Sequence, residues 1–464
     1  MQVIYLTTRN NVVQKEKEST SRQLAVLCLS SWCRQKQAIG PLVDTIIHGS
    51  ALQPVDRHLA VNLVQGVLRQ MQSLDTVITR YSKFPLGKMK TLTLMTLRVG
   101  VYQIMFLDRI PESAAVNETV KVMKLENQPR WLLNFVNGVL RTIVRNKSHL
   151  PAPNVTDGEN GSPLNHPEWL VHRWQARYGA KLARAICRAN NKEPFLTLRV
   201  NTLLAGSDEL AELLSRHGYN VRPGKYAQGS LVLESFAGPV TSLPGYEEGL
   251  FHVQDEAAQL VTQLLGPFGG QGNYLDGCAG LGGKTCQLAE MLSHQAKLFA
   301  VEPSSQRVTL LEENRRRLKL DRIYLHQGRL DAFIESAPGL FKGVLIDAPC
   351  SGTGVIRRHP DIRWNRRQED LLSYQQQQLE LLEQGASLVE PEGILVYATC
   401  SIEPEENAGV VDFFLRKHGD FTVSDCRHNL PESAAALVTP SGFFAPTPAD
   451  GMDGFFGARL VRAE

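Results

Sequence analysis

No apolar run in the 464-residue chain approaches the roughly 20 residues that a membrane span requires. The N-terminal stretch, Met1 to Ser19, is polar after a brief apolar start. It lacks the charged, apolar and cleavage segments of a secretory leader. These absences predict a cytoplasmic protein with no membrane partner. Cysteine is present eight times but never as a CxxC pair, so a zinc cluster is not expected and no metal site is assigned. In a reducing compartment these cysteines stay thiols. A strong charge of one sign is also missing: 50 Lys and Arg against 47 Asp and Glu leave +3. Overall charge therefore makes no case for nucleic acid, and the local placement of arginine has to carry it. What remains is 43% hydrophobic and 21% charged residues, the balance of a soluble globular chain long enough for about three domains.

The predicted layout is multidomain. Residues 1–18 are a polar tail. Residues 19–147 read as an α-helical bundle, with apolar residues at helical spacing from Leu59 to Leu68, over Thr91 to Leu107, from Ala114 to about Leu125, and over Trp131 to Arg145. Residues 148–165 are a linker rich in Pro, Gly, Ser and Asn. Residues 166–245 suggest a small α+β domain: helices over Trp169 to Asn190 and Ser207 to His217, strands over Phe195 to Asn201 and Ser230 to Leu233. From 246 to 464, short apolar runs alternate with amphipathic helices. They are Tyr274–Asp276, Leu298–Val301, Ile323–Leu325, Val344–Asp347 and Ile394–Thr399. That pattern predicts a buried parallel sheet, an α/β Rossmann-like domain that binds ligands at the carboxyl ends of its strands.

The first of these strands runs into Asp276-Gly277-Cys278-Ala279-Gly280-Leu281-Gly282-Gly283-Lys284, a glycine-rich turn before a helix. Such a turn lets backbone approach a ligand closely. Gly283 stands where a P-loop requires lysine, which excludes that motif. The next strand ends at Glu302, an acid placed to accept both hydroxyls of a ribose. NAD and S-adenosylmethionine both carry that ribose, so two cofactors remain open on this feature alone.

Two later strands each end in a cysteine: Asp347-Ala348-Pro349-Cys350-Ser351-Gly352-Thr353-Gly354 and Thr399-Cys400-Ser401. A thiolate that adds to carbon 6 of a cytosine makes carbon 5 enamine-like, and carbon 5 then attacks a sulfonium methyl. Loss of the carbon-5 proton and expulsion of the sulfur complete the cycle. Asp347 is a candidate acid near ring nitrogen 3. An NAD-dependent oxidoreductase fits the fold but gives the two cysteines no purpose. Between these strands, Val355 to Arg367 carries Arg357, Arg358, Arg363, Arg366 and Arg367 with Trp364 against one acid, Asp361. Arginines pair with phosphates and aromatics stack on bases, so this segment is the expected RNA-binding surface. Arg315-Arg316-Arg317 reads as a solvated helix face.

At these residues the chain resembles the RNA cytosine-5 methyltransferases of the Sun/RsmB class. The matching pieces are FHVQDEAAQL at 251–260, Glu302, DAPCSGTG at 347–354, RRHPDIRW at 357–364, ATCS at 398–401 and DGFFGARL at 453–460. The helical region resembles a NusB-type RNA-binding domain. The resemblance implies Cys400 as the nucleophile, Cys350 as the residue that assists release, and Asp347 in contact with both cofactor and cytosine. It implies S-adenosylmethionine wrapped by Cys278 to Lys284, with Glu302 on the ribose and an acid near Asp331 on the adenine side. The implied partner is 16S ribosomal RNA before full subunit assembly, with position 967 as the target cytosine. Two departures stand out. The family's Ala-Pro is replaced by Gly280-Leu281, and Asp331 comes three residues late in Gln327-Gly328-Arg329-Leu330-Asp331. The first motivates an alternative: a non-catalytic RNA-binding assembly factor with a weakened cofactor site. No oligomeric state is assigned.

Overall fold

The structure is a computed structural model that describes residues 19–150, 163–236 and 238–464. The polar tail and most of the linker lie outside the described residues. The chain divides into two compact units, residues 1–67 with 74–150, and residues 68–73 with 151–464.

The first unit is helical where it is described, with helices over Ser21–Gln35, Thr91–Phe106, Glu112–Leu125 and Arg130–Arg145 and most of Pro54–Arg69 and Met71–Tyr81, whose adjoining ends, residues 68–73, belong to the second unit. Thr20 caps the first helix through its side chain, which accepts from the Gln23 amide. Thr91–Phe106 is apolar on nearly every face and buries twelve of its sixteen residues, as a central helix does. Arg130–Arg145 buries only one stripe, Leu132, Val136, Val139, Leu140 and Ile143. The expected bundle is present; three of the four expected helices start within two residues of their observed starts, and the one read from Leu59 begins earlier, at Pro54.

The second unit holds two sheets. The smaller has strands β1 (Leu196–Val200), β2 (Val221–Pro223), β3 (Ser230–Leu233) and β4 (Phe251–Val253) in the order β2-β3-β1-β4, all antiparallel. Helices Glu168–Asn190 and Ser207–Arg216 accompany it, the first interrupted at Gly179. β4 lies past residue 245 and pairs with β1 across the expected boundary. Three residues are too few to register as a strand before their partner, β1, is known.

The larger sheet has seven strands: β5 (Gly272–Asp276), β6 (Ala296–Glu302), β7 (Ile323–Gln327), β8 (Phe341–Asp347), β9 (Val389–Thr399), β10 (Phe421–Ser424) and β11 (Phe456–Arg462). Their order is β10-β11-β9-β8-β5-β6-β7. The five expected strands are the parallel ones, and β11 runs antiparallel between β9 and β10. After β5 the chain winds outward through β6 and β7, then crosses back to β8 and β9. This reversal opens a crevice beyond the carboxyl ends of β5 and β8, which is where open α/β sheets hold ligands. Both faces of the sheet are covered by apolar clusters, one including Leu260, Leu288 and Leu345, the other Leu382, Val411 and Phe414. No helix among the described residues is long and apolar enough to cross a membrane.

Candidate active site

The crevice is a cleft of about 740 Å³ lined by Gly277, Cys278, Gly280, Glu302, Asp347, Cys350 and Cys400. These come from four strand ends and meet only because the strands are parallel neighbours. Asp276, at the end of β5, is buried, and its carboxylate accepts from the Thr285 hydroxyl (2.7 Å) and the Cys278 amide (3.3 Å). Burial lifts its carboxyl to about 6. It thereby fixes the glycine loop from behind. Glu302 ends β6. One of its oxygens accepts from the Gly280 amide at 3.0 Å and the other from the Ser304 amide at 2.8 Å. A carboxylate has about four acceptor positions, so each oxygen keeps capacity for a hydroxyl. Gly280 takes a left-handed φ of +56°, and a Cβ built there meets nothing within 4 Å. The open space before the loop and the acceptor beside it fit the ribose of a nucleoside cofactor.

Lys284, on the helix after the loop, reaches Asp347 with Nζ–Oδ2 of 2.6 Å. Burial alone would lower the Lys284 ammonium, but Asp347 and Asp276 outweigh it and hold it raised. The same Nζ lies 4.9 Å from the Phe455 ring centroid. Cys350 and Cys400 bring their sulfurs to 3.3 Å. The hydrogen bond to Cys400, then burial, push the Cys350 thiol well above its usual value. Burial does the same to Cys278. The Cys400 loop is braced by the small domain. Arg173 pairs with Glu403 at 3.0 Å and with Glu405 at 2.6 Å, and the Trp174 indole donates to Glu403 at 2.9 Å. Gly354 has its own reason: its amide donates to the Cys400 carbonyl, and a Cβ there would sit 2.1 Å from the Gly454 carbonyl oxygen.

Other expected site residues lie apart from the lining. Ala279 is buried behind the loop, its amide donating to the Val301 carbonyl. Leu281 points outward, 52% exposed. Gly282 and Gly283 form the entry to helix Gly283–Met291. Asp331 lies outside the lining. It stands in the first turn of helix Leu330–Ser336, exposed, paired with Arg329 at 3.1 Å, while Arg329 and Leu330 line the cleft instead.

The arginine segment is less exposed than expected. Arg363 is fully buried and donates to the carbonyls of Asn165 and Asn190 and to the Asn191 side chain. Arg357 and Arg358 share two buried carboxylates, Asp255 and Asp453, at 2.5–2.7 Å. The Trp364 indole donates to the Leu68 carbonyl at 2.7 Å, within the same unit. Arg366 donates to the Ser351 carbonyl at 2.9 Å and lies over Tyr374. Of the six residues expected to face RNA, Arg367 alone is exposed. Sequence reasoning missed Gln377, Glu380 and Gln384, which line the cleft from helix Asp370–Ser387. Their spacing of three and four puts them on one helix face, a polar stripe legible in the sequence. Among the described residues no His, Cys, Asp and Glu group could hold a metal.

A family model described as 16S rRNA methyltransferase RsmB/F matches residues 262–461, one for the NusB family matches 19–145, and one for the RsmF/B-like ferredoxin-like domain matches 166–241. The chain is 35% identical to ribosomal RNA small subunit methyltransferase B of Escherichia coli O6:K15:H31, covering 96% of this chain and 100% of that protein. It is 32% identical to the probable enzyme of the same name from Synechocystis, with the same coverage. The chain belongs to the RsmB family of ribosomal RNA small subunit methyltransferases. Membership accounts for the order of its parts: a NusB-like domain, a ferredoxin-like domain and a Rossmann-like methyltransferase domain. The RsmB-type fold is also similar to a crystal structure of NSun6 from Pyrococcus horikoshii with SFG, at TM-score 0.57 and 18% identity over 64% of this chain and 98% of that one.

Proposed function

We propose that the chain transfers a methyl group from S-adenosylmethionine to carbon 5 of a cytosine in 16S ribosomal RNA through a covalent adduct on Cys400. The observation that carries this reading is the 3.3 Å approach of two thiols inside a cleft that also contains Glu302 and the glycine loop. Hydride transfer to a nicotinamide cofactor gives such a pair no role. S-adenosylmethionine, when bound, supplies an electrophilic methyl group. Glu302 holds its ribose hydroxyls, and the Gly277–Gly280 backbone lies along it. The Cys400 sulfur forms a bond to carbon 6, and electron density moves to carbon 5, which takes the methyl. Asp347, anchored by Lys284, steadies the ring from the nitrogen-3 side. Cys350 assists release: the carbon-5 proton passes to a base or water in the cleft, the pair of that bond re-forms the 5,6 double bond, and the carbon–sulfur bond breaks with its electron pair returning to Cys400. The ring face must be open to sulfur, so the target is single-stranded or flipped out. That requirement favours cytoplasmic pre-assembly RNA over a finished subunit.

The test is incubation with small-subunit RNA and methyl-labelled cofactor, followed by mapping of the modified base. Cys400→Ala is expected to abolish transfer, and full turnover in that variant would overturn the nucleophile assignment. Cys350→Ala is expected to accumulate a protein–RNA adduct that survives denaturing gel electrophoresis. Calorimetric titration showing no S-adenosylmethionine binding would favour the rival, a non-catalytic assembly factor.

A further inference from the structure

The two cysteine loops converge on one buried side chain that touches neither sulfur. Glu406 is fully buried, six positions after Cys400, and it does not line the cleft. One carboxylate oxygen accepts from the Ser351 amide at 2.7 Å and from the Gln378 side chain at 3.0 Å. The other accepts from the Ser401 hydroxyl at 2.5 Å and from the Ser351 hydroxyl. Ser351 follows Cys350 and Ser401 follows Cys400, so a single carboxylate grips the residue next to each thiol. Around it the network closes. The Ser401 hydroxyl lies 3.2 Å from those of Ser351 and Thr353, and Gln378 also donates to the Pro349 carbonyl at 2.9 Å. A buried carboxylate is costly unless its acceptor positions are filled, and four donors fill them here.

We propose that Glu406 is a positioning residue that couples the Cys350 and Cys400 loops and sets the distance between their sulfurs. The roles of the two sulfurs rest on the methyltransferase reading above; the coupling does not. No other described side chain joins the residues following both cysteines through charge-assisted hydrogen bonds. Without the carboxylate, each loop keeps its strand, the Gly354 amide still donates to the Cys400 carbonyl, but the charged clamp on Ser351 and Ser401 is gone and the sulfurs separate.

Diamide oxidises two neighbouring thiols to a disulfide and is itself reduced to a hydrazine. Its rate of joining Cys350 to Cys400 in the full chain, read by peptide mass spectrometry, therefore reports their approach without RNA or methyl donor. Glu406→Ala is expected to slow this coupling by about tenfold or more, and to lower kcat by roughly 100-fold with KM for the methyl donor unchanged, the scale of a 1 Å misplacement. Glu406→Gln keeps an acceptor for the Ser351 amide and an amide group to meet the serine hydroxyls, so it is expected to stay within about threefold of wild type in both readouts. Coupling at the wild-type rate in Glu406→Ala would overturn the proposal. So would a Glu406→Gln variant as slow as Glu406→Ala, which would assign the effect to charge. If Glu406→Ala does not fold, Ser401→Ala decides, since it cuts one tie and leaves the carboxylate: slowed coupling supports the brace and an unchanged rate refutes it. Slowed coupling in a protein that methylates no RNA would preserve the brace and sink the methyltransferase reading alone.

Discussion

Single residues decide how the cleft is built, and Gly280 shows the logic. It replaces the Ala of the family loop, and its φ of +56° is a conformation that L residues adopt only under strain. Because a Cβ there meets nothing within 4 Å, the cost of Gly280→Ala is the backbone conformation alone. That cost is about 1 kcal/mol. Thermal denaturation is expected to show a small loss of stability, and calorimetry a weaker S-adenosylmethionine affinity, since the Gly280 amide also orients Glu302. An unchanged Tm would show that the loop relaxes to another φ without strain. The substitution of Leu281 for Pro works in the same direction: Leu281 is exposed and restricts the preceding residue less than proline would, which leaves Gly280 free to turn.

At the scale of elements, the parallel strands were legible and the arginine segment was misread, and both outcomes have physical reasons. β5, β6, β8 and β9 announce themselves as apolar runs that lead into an acid or a cysteine, and β7 as a short apolar run alone, because a parallel strand is buried on both faces while the central carboxyl ends meet ligand. β10 and β11 carry no such ending and fell outside the reading. Arg357, Arg358 and Arg363 looked like part of a surface because their partners are remote in sequence. Asp255 is 102 and 103 residues from Arg357 and Arg358, and Asp453 is 96 and 95 residues away. No local spacing signals a pairing of that range. The arrangement makes a sharp contrast between positions. Asp453→Asn leaves two largely buried guanidinium groups short of a carboxylate, and urea unfolding is expected to register a loss of about 3–5 kcal/mol. Arg367→Ala, at an exposed position, is expected to change stability by less than about 0.5 kcal/mol. If Arg367 meets RNA phosphate, the same variant lowers RNA affinity and flattens its salt dependence. Equal stability losses in the two variants would contradict the division into buried clamp and exposed contact.

Within the larger unit, one imidazole links the small sheet to the cofactor-loop domain and makes stability depend on pH. His252 lies on β4, faced by Arg199 from β1 and by Arg317 from helix Ser305–Arg317. Arg317 donates to the Phe251 carbonyl at 3.0 Å and lies 3.5 Å from His252 Nδ1, while Arg199 is paired with Glu290 at 2.6 Å. Burial, then the two guanidinium charges, lower the imidazole to about 3. The unfolded chain protonates this histidine near 6.5 and the folded chain only near 3, so between those values the unfolded state binds one more proton. Stability from this group is complete above pH 6.5 and is lost as pH falls, by about 1.4 kcal/mol per pH unit. Asp276 has the opposite sense. Its carboxyl is lifted to about 6, so the folded state holds its proton longer and acid favours folding there. Total stability of the wild-type protein therefore mixes two slopes. The difference between wild type and His252→Gln does not, because Asp276 is common to both and cancels. Urea unfolding at pH 7, 6, 5 and 4 is expected to show wild type losing ground to the variant by about 1.4 kcal/mol for each unit below pH 6. Parallel curves would mean that His252 is protonated within the fold, and that Arg199 and Arg317 tolerate a third positive charge between them.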